Sequence, residues 1–153
     1  MSFNFKTQLK AGQLGEVLYA NAHPHYTRTD GMTCDFYTEA GASLELKTDF
    51  YTMDATPNFF MERWSMKEQK KPGGPWQSSS KGVDYFAYFY VPSLTIFTFS
   101  VQKLLERLEK LESTFSEFPI RNSSYTTVGY RVPREAVADL AEITKLKVLI
   151  DSI

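Results

Sequence analysis

The chain has 153 residues, enough for one domain with its own hydrophobic core. Its 42% hydrophobic and 15% aromatic content excludes a disordered chain, because burying rings offsets chain entropy. A net charge of -1 excludes a polycation, a single cysteine excludes an internal disulfide, and two histidines leave a Cys/His zinc site short of ligands.

Residues 1–10 lack the apolar core of a signal peptide. Residues 6–21 predict a helix whose apolar stripe is Leu14, Val17 and Leu18. Gly12 and Gly15 weaken it by up to about 1 kcal/mol each relative to alanine. They either permit a close backbone approach or mark a frayed first turn. His23-Pro24-His25 ends the helix. Residues 32–38 read as a strand, with Met32, Cys34 and Phe36 on one face and Thr33, Asp35 and Tyr37 on the other. Cys34 there reads as a small buried hydrophobe. A Gly-containing turn at 39–42 leads into an antiparallel strand over 43–50. Leu44, Leu46 and Phe50 lie on one face of it, and Glu45, Lys47 and Asp49 on the other.

Residues 58–65 predict a third strand. The stretch 67–82 holds Lys67, Lys70, Lys71, Pro72, Gly73, Gly74, Pro75, Trp76, three serines and Lys81, and reads as a basic loop. Strands follow over 83–91 and 94–99, separated by Pro92-Ser93; this apolar run is too short to span a membrane. Ser100 caps a helix along which Val101, Leu104, Leu105, Leu108, Leu111 and Phe115 recur at helical spacing. A short strand over 125–132 precedes Pro133, which opens a last helix burying Val137, Leu140, Ala141 and Ile143. The expectation is one α/β domain over 1–153 with helices flanking a mixed central sheet, in a cytoplasmic protein without a membrane partner.

Glu45 and Lys47 are two apart on a strand and so project from one side, roughly 7 Å apart. Pairing through the 39–42 turn brings Asp35 within a residue or two of Glu45. Two carboxylates and an ammonium then share one locale on an apolar sheet, where unpaired charge is costly and a divalent cation relieves it. Hard carboxylate oxygens suit Mg2+ or Mn2+. The same charges also fit a solvated salt-bridge ladder.

Asp35, nine residues, then Glu45-Leu46-Lys47, preceded by a helix carrying Glu16, resembles the PD-(D/E)xK nuclease superfamily over roughly residues 9–100. Cys34 stands where that superfamily often has proline. The resemblance implies a restriction-endonuclease-like fold: a helix, a three-stranded meander, another helix and a further strand. It implies Asp35 and Glu45 as metal ligands with the Leu46 carbonyl as a third, and Lys47 as the catalytic lysine. Glu16 matches the extra acidic residue, a further metal ligand, of the branch that includes archaeal-type Holliday-junction resolvases. The run Thr56-Pro57-Asn58-Phe59-Phe60-Met61-Glu62 is similar to phage-type members of that branch.

The implied activity is Mg2+- or Mn2+-dependent endonucleolytic hydrolysis of DNA, double-stranded or branched. Junction resolution requires two coordinated cuts and so implies a homodimer. Lys67, Lys70, Lys71 and Lys81 in the basic loop, with Lys6 and Lys10 near the first helix, are candidate phosphate contacts. Trp76 is the candidate for stacking on an exposed base. The alternative is a nucleic-acid-binding or structural protein that keeps the fold without activity.

Overall fold

The computed structural model describes the backbone of residues 5–147, with side chains from residue 12 onward. The chain is mixed α/β. Helix α1 (Phe5–Ala22) leads into short strands β1 (Thr27–Arg28) and β2 (Phe36–Tyr37), then β3 (Ser43–Asp49). Strand β4 (Asn58–Met66), the short β5 (Lys71–Pro72) and helix α2 (Gly74–Ser80) come next. The hairpin β6 (Tyr85–Tyr90) and β7 (Thr95–Ser100) feeds helix α3 (Val101–Leu111). The chain closes with β8 (Ser116–Arg121), β9 (Thr126–Pro133), α4 (Arg134–Val137) and β10 (Glu142–Lys145). Among the described residues no helix is long and apolar enough to cross a membrane.

The described strands form two sheets. One is mixed and six-stranded, in the order β1-β2-β3-β6-β7-β10; the other has four strands, β5-β4-β9-β8. In the first, β1, β2 and β3 form an antiparallel meander, and β6 returns parallel to β3 after a crossover that contains α2. The strand expected over 58–65 is present as β4 but does not join β3. The structure pairs β4 with β9 instead. The reason is that both sides of β3 are taken, by β2 on one side and β6 on the other.

Strand β6 is buried on both faces, which explains its unbroken aromatic run. Tyr88 and Tyr90 point into a core built with Phe59 and Met61 of β4, Phe97 and Phe99 of β7, and Leu104 and Leu108 of α3. Ala87 and Phe89 point the other way, to Tyr19 of α1, Phe36 and Leu44. Phe59 sits edge-on to Tyr88 and Phe97, with centroids 4.7 and 5.0 Å away. Helix α3 keeps its sequence-read cap: the Ser100 hydroxyl accepts from Lys103 N–H at 3.4 Å.

Three expectations are corrected. The strand at 32–38 shrinks to Phe36–Tyr37, because local side-chain bonds turn the chain before it. Thr29 Oγ accepts from Gly31 N–H at 2.9 Å and donates to the Cys34 carbonyl; Asp30 accepts from Met32 N–H at 3.1 Å. Cys34 is buried as read, but in the core between the sheets, whereas Phe36 joins the cluster under α1. The apolar stripe of α1 is also displaced: Leu14 and Val17 are 52% and 44% exposed, and Tyr19 is the buried residue. Finally, Ile143 lies half exposed on edge strand β10, while Val137 is buried and Leu140 and Ala141 pack against the core.

The docking of α1 turns on Gly15. A Cβ there would lie 2.4 Å from Thr48 Cγ2 and 3.4 Å from Val91 Cγ2, so helix backbone and β3 approach as only glycine allows. Tyr19, one helical turn on, shares that face. Gly12 has open space around its Cβ position. Gly15→Ala is therefore expected to lower stability by about 1–3 kcal/mol through overpacking. Gly12→Ala is expected to leave it unchanged or raise it by up to about 1 kcal/mol. Thermal denaturation of the two variants checks this; equal melting temperatures contradict the docked helix.

Candidate functional site

The meander delivers Asp35 to Glu45 through backbone pairing. Phe36 pairs with Leu44, and Asp35 N–H donates to the Leu44 carbonyl at 2.9 Å, which sets Asp35 beside Glu45. Asp35 Oδ2 then accepts from Leu46 N–H at 2.7 Å. The N–H and C=O of one strand residue point to the same side. The Leu46 carbonyl therefore faces the same open edge, just past the end of β2, as the Asp35 carboxylate. Strand alternation puts Glu45 and Lys47 on the face toward the second sheet. There both line a hollow of about 130 Å3 with Phe60, Glu62, Gly74 and Gln77.

Neither carboxylate is comfortable in its charged form. Asp35 is pushed above its ordinary range, chiefly by burial and further by the Glu16 charge. The Leu46 N–H bond, Lys81 and Arg28 act in the opposite direction. Glu45 is pushed up to about 7, first by burial and then by the charge on Asp35; Lys81 opposes this and Glu16 adds to it. The site is thus a pair of half-buried acids that repel each other, with the Asp35 carboxylate and the Leu46 carbonyl on one strand edge and Glu45 on the adjoining face.

Those oxygens fit a hard divalent cation. The Asp35 carboxylate and the Leu46 carbonyl face that edge, and the Glu45 carboxylate lies on the adjoining sheet face, where it feels the Asp35 charge. Glu16 is drawn elsewhere: its carboxylate pairs with Arg28 at 2.9 Å. Among the described residues no cluster of three or more His, Cys, Asp or Glu side chains is placed to hold a metal ion. Glu16 accordingly acts on the pair through its charge.

Lys47 is half-buried and, among the described residues, forms no ion pair; the three ion pairs found there are Arg28–Glu16, Arg63–Glu112 and Arg107–Asp139. Asp49, two residues on, accepts from the Tyr88 hydroxyl and from Tyr51 N–H instead.

The basic stretch is not one loop. Gly74 has a positive φ of 47°, its Cβ position would meet the Glu62 carbonyl at 2.7 Å, and Pro75 follows in the first turn of α2. Trp76 is only 8% exposed, edge-on to Tyr130 and beneath Arg63, so it has no face to offer a base. Lys67, Lys70 and Lys71 are exposed beyond the end of β4, where Glu68 accepts from Thr126 N–H. None of the three lines the Glu45 hollow. Lys81 instead joins the acidic pair: it donates to the Met32 carbonyl at 3.1 Å and its charge acts on both Asp35 and Glu45. Lys6 and Lys10 belong to α1, but their side chains lie outside the described residues.

Sequence reasoning missed Arg28 and Gln77. Arg28 sits on a two-residue strand with no periodicity to reveal it, and Gln77 lies in the stretch read as loop. A larger hollow, about 730 Å3, is lined by residues such as Asp84, Glu106 and Glu109 and holds none of the site residues.

No family model matches the chain, and no curated protein matches it.

Proposed function

We propose that the chain is a single restriction-endonuclease-like domain that hydrolyses DNA phosphodiester bonds with Mg2+ or Mn2+. The observation that carries this is the Asp35–Glu45 pair, half-buried and mutually repelling, with the Leu46 carbonyl on the Asp35 edge and, two residues on from Glu45, Lys47, which forms no ion pair among the described residues. The order α1, meander β1-β2-β3, α2 and parallel β6, with β4 and β5 inserted before α2, supports the reading, because the PD-(D/E)xK resemblance implies a helix, a three-stranded meander, a helix and a further strand.

Asp35, Glu45 and the Leu46 carbonyl would hold the cation. When bound, it supplies an acidified water and neutralises charge on the phosphoryl group. Hydrolysis forms one P–O bond from water and breaks one P–O ester bond. The Lys47 ammonium stabilises the charge that gathers on the phosphoryl oxygens as this happens. Glu16 adds negative charge beside the pair, which the Arg28 that holds it partly offsets at Asp35. Selectivity for branched DNA, with the homodimer that two coordinated cuts require, is the narrower form of the proposal.

The test is incubation with plasmid, linear duplex, single-stranded and four-way-junction DNA in Mg2+ or Mn2+. Wild type is expected to cut at least one of them. Absence of cleavage on every substrate would favour a binding protein that keeps the fold without activity.

A further inference from the structure

Lys47 and Phe60 also line a second hollow, a groove of about 500 Å3 that runs from the end of β3 to β8 of the second sheet. Its walls carry aromatic and aliphatic surface in water. Tyr51 is 70% exposed, Phe118 40% and Ile120 41%. The exposed Arg131 guanidinium lies 4.7 Å from the centre of the Phe118 ring. Among the described residues neither Lys47 nor Arg131 forms an ion pair. The one acid on the groove, Asp49, has one oxygen bonded to the Tyr88 hydroxyl and the other to Tyr51 N–H.

We infer that this groove takes a single-stranded DNA segment, with bases stacked on Tyr51 and Phe118 and phosphates on Arg131 and Lys47, and leads it to the site beside Glu45. The inference rests on the proposed nuclease reading for the direction of travel, and on charge complementarity for the occupant. Two cations without acidic partners suit a polyanion. Exposed rings suit unpaired bases, whose faces are free to stack, whereas in a duplex those faces are hidden. Trp76, buried under Arg63, plays no part.

The experiment measures fluorescence anisotropy of a labelled oligothymidylate of about 12 nucleotides, and of a blunt duplex of the same length, in EDTA so that nothing is cut. Wild type is compared with a Tyr51→Ala, Phe118→Ala double variant, whose substitutions are at exposed positions. The double variant is expected to bind the single strand about tenfold or more weakly, with duplex binding within about twofold of wild type. Arg131→Ala is expected to weaken single-strand binding and to flatten its salt dependence.

Equal single-strand affinity of wild type and double variant overturns the inference. So does failure of wild type to bind the single strand, or an equal loss on duplex. A dimer that sediments apart on Phe118→Ala, with oligonucleotide affinity unchanged, would assign the groove to a second copy and overturn it as well. Because the assay contains no metal, the two proposals fail separately. Ring-dependent binding without cleavage of any DNA by wild type sinks the nuclease reading alone. Cleavage by wild type without ring-dependent binding sinks the groove alone.

Discussion

Lys47→Ala is expected to lower DNA cleavage by about 100- to 1,000-fold while leaving Mn2+ binding within about twofold of wild type. The split follows from where the residue sits. Lys47 shares the strand face of Glu45 but is not one of the oxygen donors, and among the described residues it forms no ion pair. Its ammonium is thus free to meet charge that develops on a phosphoryl group. Truncation removes that stabilisation and leaves Asp35, Glu45 and the Leu46 carbonyl in place. The strand is anchored independently, by Leu44 in the core and by pairing with both β2 and β6. Single-turnover cleavage together with Mn2+ titration checks the split. Cleavage that survives the substitution contradicts the role given to Lys47.

Glu45→Gln is expected to stabilise the metal-free protein and to weaken its binding of metal. The Glu45 carboxyl is raised from its ordinary 4.5 to about 7 in the folded protein. Between those values the folded state holds a proton that the unfolded state has released. Stability therefore falls as pH rises from about 4.5 to about 7, and is flat above. The cost at neutral to alkaline pH is about 2 kcal/mol, once solvent screening of a half-buried group is allowed for.

Glutamine carries no charge to bury. The variant should thus gain about that much stability over wild type near pH 8 and little near pH 5. Mn2+ should stabilise wild type through Glu45 with release of a proton below about pH 7, and should do much less for Glu45→Gln. Urea denaturation at the two pH values, with and without Mn2+, reads all of these. A variant that is less stable than wild type near pH 8 contradicts the electrostatic picture of the site.

The strand that carries the site was legible because its signal is local. Ser43–Asp49 alternates with period two, and its turn residues fix the pairing that brings Asp35 to Glu45. The aromatic run of β6 and the capped, strongly amphipathic α3 were legible for the same reason. What escaped depends on contacts distant in sequence. Strand β4 follows β3 directly in the chain, yet with both β3 edges occupied it pairs with β9, some seventy residues later. Trp76 lies among lysines, glycines and serines, and Tyr130 and Arg63 are what bury it.

Pro75, in the first turn, was the available sign that a helix opens there. The edge strand β8, exposed along its whole length and containing Pro119, has no apolar alternation to announce it. Glu16 was found on the right helix, but the bond that holds it comes from Arg28, on a strand of two residues. Composition alone marks Lys81 as a phosphate contact; only the fold shows that its charge acts on Asp35 and Glu45.

In the proposed site Asp35 and Glu45 together hold a divalent cation. Calorimetric titration of Mn2+ into wild type and into an Asp35→Ala, Glu45→Ala double variant near pH 8 tests it most directly. One site on wild type, lost in the double variant without loss of folding, is the predicted result; equal Mn2+ binding by the two proteins, or none by wild type, would contradict it.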